Sequence, residues 1–150
     1  MNVVVRRVLL GILLLGLVGA EVELLFLKHT DGAWQILPLV LIGVALLVLA
    51  VHAAVPGPWT IRAMQAVMGV FVLSGVAGIL LHYRGNVEFE LERMASLSGL
   101  ELIKSALMGA TPALAPGTMI QLGLVGLLFT YQHPASRPHG AGTTINEVSS

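Results

Sequence analysis

The sequence predicts an all-α protein of the polytopic membrane class: a four-helix transmembrane bundle with a short amphipathic helical loop between the third and fourth spans. The chain of 150 residues is 56% hydrophobic and only 11% charged, whereas soluble domains carry about 25% charged residues. Four apolar runs also reach the roughly 20 residues that a helix needs to cross about 30 Å of hydrocarbon. We therefore expect one transmembrane domain, residues 1–133.

The four predicted spans are separated by polar segments. They cover about residues 8–27, 36–55, 61–81 and 113–131. Aromatic residues with a polar edge stand at the ends of these runs, namely Trp34, Trp59, Tyr83 and Tyr131. Because such rings prefer the headgroup layer of a bilayer, their positions support the boundaries.

Residues 84–112 form the one sizeable loop between the predicted spans. Asn86 is suited to cap a first short helix in this loop. Glu88 and Glu90 would then lie in the opening turn, where the helix dipole favours acids. The pattern predicts that a new helix starts at Asn86.

A second short helix is predicted from Ser98, which is followed three residues later by Glu101, as in a capping box. Its apolar residues share one face: Leu100, Ile103 and Leu107. An amphipathic helix of this kind is expected to rest on the mouth of the bundle or in the membrane interface.

The two chain ends suggest an orientation. Arg6, Arg7, Arg62 and Arg137 flank the spans on one side, and the positive-inside rule then places both termini in the cytoplasm. The expected location is a bacterial-type plasma (inner) membrane, crossed several times. Residues 134–150 are rich in Pro, Ser, Gly and Thr, which is typical of a disordered tail.

The first span also has features of a secretory signal, with basic residues, an apolar run and the small-residue sequence Val18-Gly19-Ala20. Cleavage of residues 1–20 would leave three spans. The apolar run continues from Val22 to Leu27 and completes a full span, so we expect the first helix to be retained.

Two acids lie inside the first span, where an ionisable group costs about 2.5 kcal/mol or more and often marks function. Glu21 and Glu23 point about 200° apart on a helix, so one partner cannot receive both. Glu23 shares its face with Gly16, Gly19 and Ala20, small residues that let helices approach closely. The spacing predicts Glu23 as the interior acid.

Two further polar residues are predicted near the depth of Glu23. His82 follows Gly78 by one turn on a small-residue face, and Gln121 follows Gly117 by one turn in the fourth span. We expect a polar cluster near the outer mouth, with Glu23 as acceptor of a proton or cation and His82 as its partner. The candidate residues are Glu21, Glu23, His82 and Gln121. Two alternatives remain open: side chains that reach the headgroups, and interhelical hydrogen bonds that serve stability alone.

Histidines near the ends of all four spans raise the alternative of a haem-binding redox anchor; they are His29, His52, His82 and His133. Because haem ligands usually lie deeper in a span, no cofactor is predicted. A metal site formed by His29, Asp31 and the alternating acids Glu88, Glu90 and Glu92 is not predicted either, since alternating residues of a helix do not share one face.

Several classes of function are excluded or disfavoured by composition. The chain has no cysteine, which excludes disulfides, thiolate zinc sites and iron–sulfur clusters. Its formal net charge of zero provides no basic surface for nucleic acid. Because the sequence contains no known catalytic or phosphate-binding motif, we do not expect an enzyme.

The sequence Ala20-Glu21-Val22, followed by Lys28-His29-Thr30-Asp31-Gly32 and a second span, resembles the start of small multidrug resistance transporters. That family is also four-helical, and the resemblance implies that Glu21 alternately binds protons and cationic substrates. The resemblance ends there, because the third span lacks the family's aromatic and glycine pattern and residues 83–112 form a much longer loop.

Taken together, these patterns predict a small accessory or scaffold subunit of a membrane complex. Its expected partners are the lipid bilayer and other membrane subunits or further copies of the same chain. The first alternative is a proton-coupled transporter of small cations that uses an acid of the first span.

Overall fold

The computed structural model describes residues 1–109 and 111–136, and this part of the chain is all helical, as predicted. Its helices are α1 (Val3–Phe26), α2 (Ala33–Ala54), α3 (Pro58–Arg93), α4 (Gly99–Leu107) and α5 (Gly117–Thr130), followed by one 3-10 turn, Pro134–Ser136. Of these helices, α1, α2 and α3 are long and apolar enough to cross a membrane. Most of the predicted tail, residues 137–150, lies outside the described residues.

The long helices begin where local chemistry satisfies their first amide groups. The Asn2 side chain accepts a hydrogen bond from the Val4 amide at the start of α1. Helix α3 opens with Pro58 in its first turn, where a missing amide proton costs little. The Thr60 hydroxyl accepts from the Gly57 amide there, at 3.2 Å. Short connections, residues 27–32 and 55–57, separate the first three helices.

Helices α3 and α5 run antiparallel in close contact, because glycines allow their backbones to approach. A Cβ atom on Gly123 would stand 2.8 Å from the Met68 carbonyl oxygen, and one on Gly75 would stand 2.9 Å from the Pro116 carbonyl oxygen. Helix α1 packs on the other side of α5, with Leu122 against Gly16. Buried residues of all four long segments form one core: Leu13, Leu17, Ile42, Ala45, Leu49, Met64, Met68, Phe71, Met119, Leu122 and Phe129.

Helix α5 has 14 residues and starts at Gly117, later than the start at residue 113 expected for the fourth span. Pro112 and Pro116 have no amide proton to donate, so this stretch forms tight turns instead. The Ala115 amide donates to the Pro112 carbonyl at 3.1 Å in these turns.

The predicted helix start at Asn86 is wrong. Helix α3 runs without interruption for 36 residues and ends at Arg93. The Asn86 side chain does not cap its own backbone but bonds to the segment that follows α4. At a rise of 1.5 Å per residue α3 is about 54 Å long, so it exceeds the roughly 30 Å of a hydrocarbon core.

The predicted helix after Ser98 is present as α4, but its capping box is not formed, since the Ser98 side chain makes no cap hydrogen bond. Gly99 has a φ of +60°, so the first turn departs from the geometry that the box requires. Ala106 is fully buried. The predicted apolar face instead stays exposed, at 80% for Leu100, 44% for Ile103 and 47% for Leu107.

Candidate functional site

The four residues of the predicted polar cluster are not joined to one another by hydrogen bonds within the described residues. Glu23 and Gln121 are exposed, whereas Glu21 and His82 are partly buried. The His82 Nδ1 atom lies 3.1 Å from the Pro112 carbonyl oxygen, so this ring holds the turns before α5.

The structure places Glu21, rather than Glu23, toward the bundle. The interior face of α1 is defined by Leu13 and Leu17, which are fully buried, and Glu21 lies one turn after Leu17. Glu23 is exposed and Gly19 has open space around it, although Gly16 on the same face meets Leu122 of α5. The Glu21 Oε2 atom is buried and has no hydrogen-bond partner among the described residues.

The last part of α3, from about Asn86 to Arg93, projects beyond the length of one membrane span. There the Asn86 side chain connects α3, α4 and the segment at Thr111. Its Nδ2 atom donates to the carbonyl oxygens of Ala106, at 2.8 Å, and Thr111, at 2.7 Å. Its Oδ1 atom accepts from the Thr111 amide at 3.2 Å and from the Thr111 hydroxyl at 2.7 Å. The Ala106 carbonyl lies in the last turn of α4, where carbonyl groups have no amide donor within the helix. Asn86 therefore fixes α4 against the projecting part of α3.

A polar groove of about 460 Å³ lies between this projection and α4. Glu90, which is 9% exposed, forms one wall and lies 3.8 Å from the Arg93 guanidinium. Glu101 and Lys104 face the groove from α4. Two acids and two bases balance in charge, so the groove offers no preference for anions or cations.

The opposite end of the bundle is held by Arg6. Its guanidinium donates to the carbonyl oxygens of Phe129 at 2.6 Å, Gln132 at 3.2 Å and Tyr131 at 3.4 Å. These carbonyls lie in and just after the last turn of α5, where a cation is favoured by the helix dipole. The contact fixes the start of α1 to the end of α5.

Two histidines meet beside this contact. The His52 Nδ1 atom lies 2.7 Å from the Thr60 hydroxyl, and its ring meets the His133 ring edge-on at a centroid distance of 5.0 Å. Burial lowers the pKa of His133 to about 4, helped by the charges of Arg6 and His52. The two touching rings leave no space for a porphyrin between them, so this pair does not fit the haem alternative.

The metal-site residues are not brought together either. Within residues 1–109 and 111–136, no group of three or more His, Asp or Glu side chains is arranged to hold a metal ion. His29 and Asp31 precede α2, whereas the acids at positions 88, 90 and 92 lie on the projecting part of α3.

A lateral groove of about 560 Å³ opens between α1 and α2 at the Arg6 end. Arg6 and Arg7 line the end nearest the start of α1, which we call its mouth, and Leu10, Leu46 and Phe129 line the rest. The lining is mostly apolar with a few charged groups, as in ligand pockets generally.

Sequence reasoning missed the long-range contacts of Arg6 and Asn86, although each residue lies at helical spacing from other residues that face the bundle. Arg6 shares the face of α1 that continues through Leu13 and Leu17 at helical spacing. Asn86 follows His82 by one turn on the face of α3 that packs against α5.

Comparison with protein-family models, with curated proteins and with solved structures finds no match for this chain.

Proposed function

We propose that this protein is a non-enzymatic accessory or scaffold subunit of a plasma (inner) membrane complex, which binds a partner membrane protein through the exposed face of α4. The observation that carries this proposal is the exposed apolar face of α4, which Asn86 connects to the part of α3 beyond the length of one membrane span.

The length of α3 supports this position of α4. A helix of about 54 Å exceeds even the roughly 40–45 Å of a bilayer with its headgroups, and a tilt of about 20° shortens its reach only slightly. Pro58 begins α3 at the Arg6 end, so the excess length lies toward Arg93. Asn86 then holds α4 alongside this excess, where lipid tails do not reach its apolar side chains.

The exposed apolar residues are therefore costly unless a protein covers them. Leu100 is 80% exposed, and Ile103 one turn further along is 44% exposed. Contiguous exposed apolar residues on one helix face outside the hydrocarbon are suited to an interaction site. A partner subunit, or a second copy of this chain, would bury the face of α4 that carries Leu100, Ile103 and Leu107. Its burial would explain why this face is apolar.

The fourth crossing is part of the proposal, with α5 as its helical portion. His82 of α3 contacts Pro112, just before α5, and Arg6 contacts Phe129 near its end. Residues 112–132 thus run alongside residues 60–82 of α3. That part of α3 is about 33 Å long at 1.5 Å per residue, which is enough to cross the hydrocarbon core. Four antiparallel crossings would return the C-terminus to the side of the N-terminus.

The distribution of charge supports cytoplasmic termini. Arg6, Arg7 and Arg62 lie at one end of the bundle, and no acid of the described residues lies near that end in the sequence. The acids instead flank the other end of the spans, on α1, on the turn before α2, and on α3 and α4. Lys28, Arg84, Arg93 and Lys104 lie at that other end as well, so the proposed cytoplasmic assignment of the Arg6 end rests on Arg6 and Arg7 before the first span, which usually dominates orientation.

Photocrosslinking tests the partner surface in the native membrane. A photoreactive residue at Ile103 is expected to give one crosslinked protein in stoichiometric amount. The same residue at Leu73, which is 70% exposed in the middle of α3, is expected to give lipid adducts. Lipid adducts alone at Ile103 would contradict the proposal.

A pair of double variants makes the test quantitative. Leu100→Glu with Ile103→Glu is expected to lower recovery of the native complex at least tenfold, because each buried carboxylate opposes docking. Ala95→Glu with Ser96→Glu adds the same charge to the exposed connection before α4 and should leave recovery unchanged. Equal recovery of the complex with both variants would reject α4 as the docking surface.

A second candidate function, proton-coupled transport of small cations, is favoured by Glu21. An intramembrane carboxylate with a buried, unpartnered oxygen is a frequent mark of ion pathways. Reconstituted protein with a pH gradient and a lipophilic cation would then show uptake that Glu21→Gln abolishes and Glu23→Gln preserves. Absence of gradient-driven uptake by the wild-type protein would exclude this candidate and leave the scaffold proposal intact.

A further inference from the structure

The lateral groove between α1 and α2 is long enough to hold much of one lipid tail. It extends along α1 from Val3 to Leu14, about 16 Å at 1.5 Å per residue. The part from Arg7 to Leu14 is about 10 Å long, or about two thirds of one leaflet of a roughly 30 Å hydrocarbon core. Its volume of about 560 Å³ lies within the range of small-molecule sites.

The groove is open toward the membrane rather than toward the interior of the bundle. Ala50 and Ala53 of α2 are exposed along its edge, and Leu14 of α1 is 38% exposed at its deep end. An acyl chain can therefore enter sideways from the bilayer, whereas a water-soluble ligand would have to cross an apolar surface.

The mouth of the groove is cationic. Arg6 and Arg7 line it, and no acidic side chain of the described residues does so. Arg6 already donates to three carbonyl oxygens of the α5 end, but Arg7 is exposed and its guanidinium is available to an anion. His133, with its pKa lowered to about 4, is neutral at pH 7, so the arginines supply the charge.

We infer that this groove binds one anionic phospholipid, with its phosphate on Arg7 and one acyl chain between Leu10 and Leu46. A guanidinium presents parallel N–H donors that match phosphate oxygens. The arginines match the phosphate of such a lipid, and the apolar stretch beyond them, with Leu10, Leu14 and Leu46, matches part of an acyl chain. The site lies at the opposite end from α4 and does not depend on the proposed partner.

Native mass spectrometry of the full-length protein tests the charge requirement, after reconstitution with phosphatidylglycerol or phosphatidylcholine. Wild-type protein is expected to retain one phosphatidylglycerol molecule and to discriminate against phosphatidylcholine. Arg7→Gln should weaken retention about fivefold, as expected for one arginine near an anionic surface. Arg62→Gln, which removes the same charge at the same end but outside the groove, should retain the lipid normally.

A second pair of variants tests the acyl-chain path without altering charge. Ala50→Phe fills the groove and is expected to abolish retention, whereas Ala54→Phe, outside the lining, should have no effect. Thermal unfolding of each variant shows whether the fold is kept. Equal retention of both lipids, equal loss in Arg7→Gln and Arg62→Gln, or displacement of the lipid by inorganic phosphate would each overturn the inference.

Discussion

Asn86 and Thr111 are joined by three hydrogen bonds, although 25 residues separate them in the sequence. A fourth bond, to the Ala106 carbonyl, connects the same amide to α4. A single buried side chain thus fixes the position of α4 relative to α3.

The first prediction concerns this contact. Asn86→Ala should free α4, because it leaves the Ala106 and Thr111 carbonyl groups without their donor, at a cost of about 1–3 kcal/mol. Hydrogen exchange should become faster at the amides of α4 and of Thr111, while the middle of α3 stays protected. Glu88→Ala, two residues away and exposed, is the control and should leave exchange unchanged. Equal protection of α4 in both variants would contradict the role of Asn86.

The second prediction concerns the α3–α5 contact. Replacing glycine by alanine in a helix normally stabilises it by about 0.5–1 kcal/mol. Gly123→Ala should instead lower the free energy of unfolding by about 1–3 kcal/mol, because its Cβ would meet the Met68 carbonyl oxygen at 2.8 Å. Gly69→Ala on α3 has open space around it and is the matched control. Thermal unfolding in lipid nanodiscs measures both, and a shift of the same sign in the two variants would refute the close approach.

The sequence was sufficient to predict the apolar helices and the short turns between the first three, because bilayer thickness and backbone hydrogen bonding constrain both. It was less informative about which face of each helix points inward. In a membrane the outer face is as apolar as the core, so Leu13 and Leu15 look alike although one is buried and the other is 78% exposed. Small residues were the remaining guide, and they were ambiguous: Gly16 meets Leu122, whereas Gly19 faces open space.

This ambiguity explains the choice between the two acids. Of the small residues that share a face with Glu23, Gly16 and Ala20 pack against the bundle and Gly19 has open space, and the structure leaves Glu23 exposed and Glu21 partly buried. Asn86 illustrates a different limit. The residues around Asn86 match the pattern of a local helix cap. A local pattern cannot show that Ala106 and Thr111, 20 and 25 residues away, form four hydrogen bonds with the same side chain.

The third prediction concerns Arg6. Arg6→Ala should loosen the end of α5, because three carbonyl groups lose a charged donor, at a cost of about 1–2 kcal/mol. Exchange should increase at the amides of Tyr131 and His133, which are bonded within this turn. Arg62→Ala removes the same charge from an exposed position and should leave these amides protected. Equal exchange in the two variants would show that net charge, rather than the Arg6 contact, holds the turn.

The last prediction concerns His133 and pH. Its pKa is lowered from 6.5 to about 4, first by burial and then by Arg6 of α1 and His52 of α2, which face it. The unfolded chain therefore binds a proton between about pH 6.5 and pH 4 that the folded protein does not, so stability falls as the pH decreases through this interval. His133→Gln should reduce this loss of stability, measured as the melting temperature at pH 5 relative to pH 8. His29→Gln, on the turn before α2, should keep the wild-type dependence of the melting temperature on pH.

An NMR titration of the His133 ring should give a midpoint near 4, and Arg6→Gln should raise that midpoint without restoring 6.5, because burial is the larger cause. A midpoint near 6.5 in the wild-type protein would mean that the His133 ring is not buried as described above.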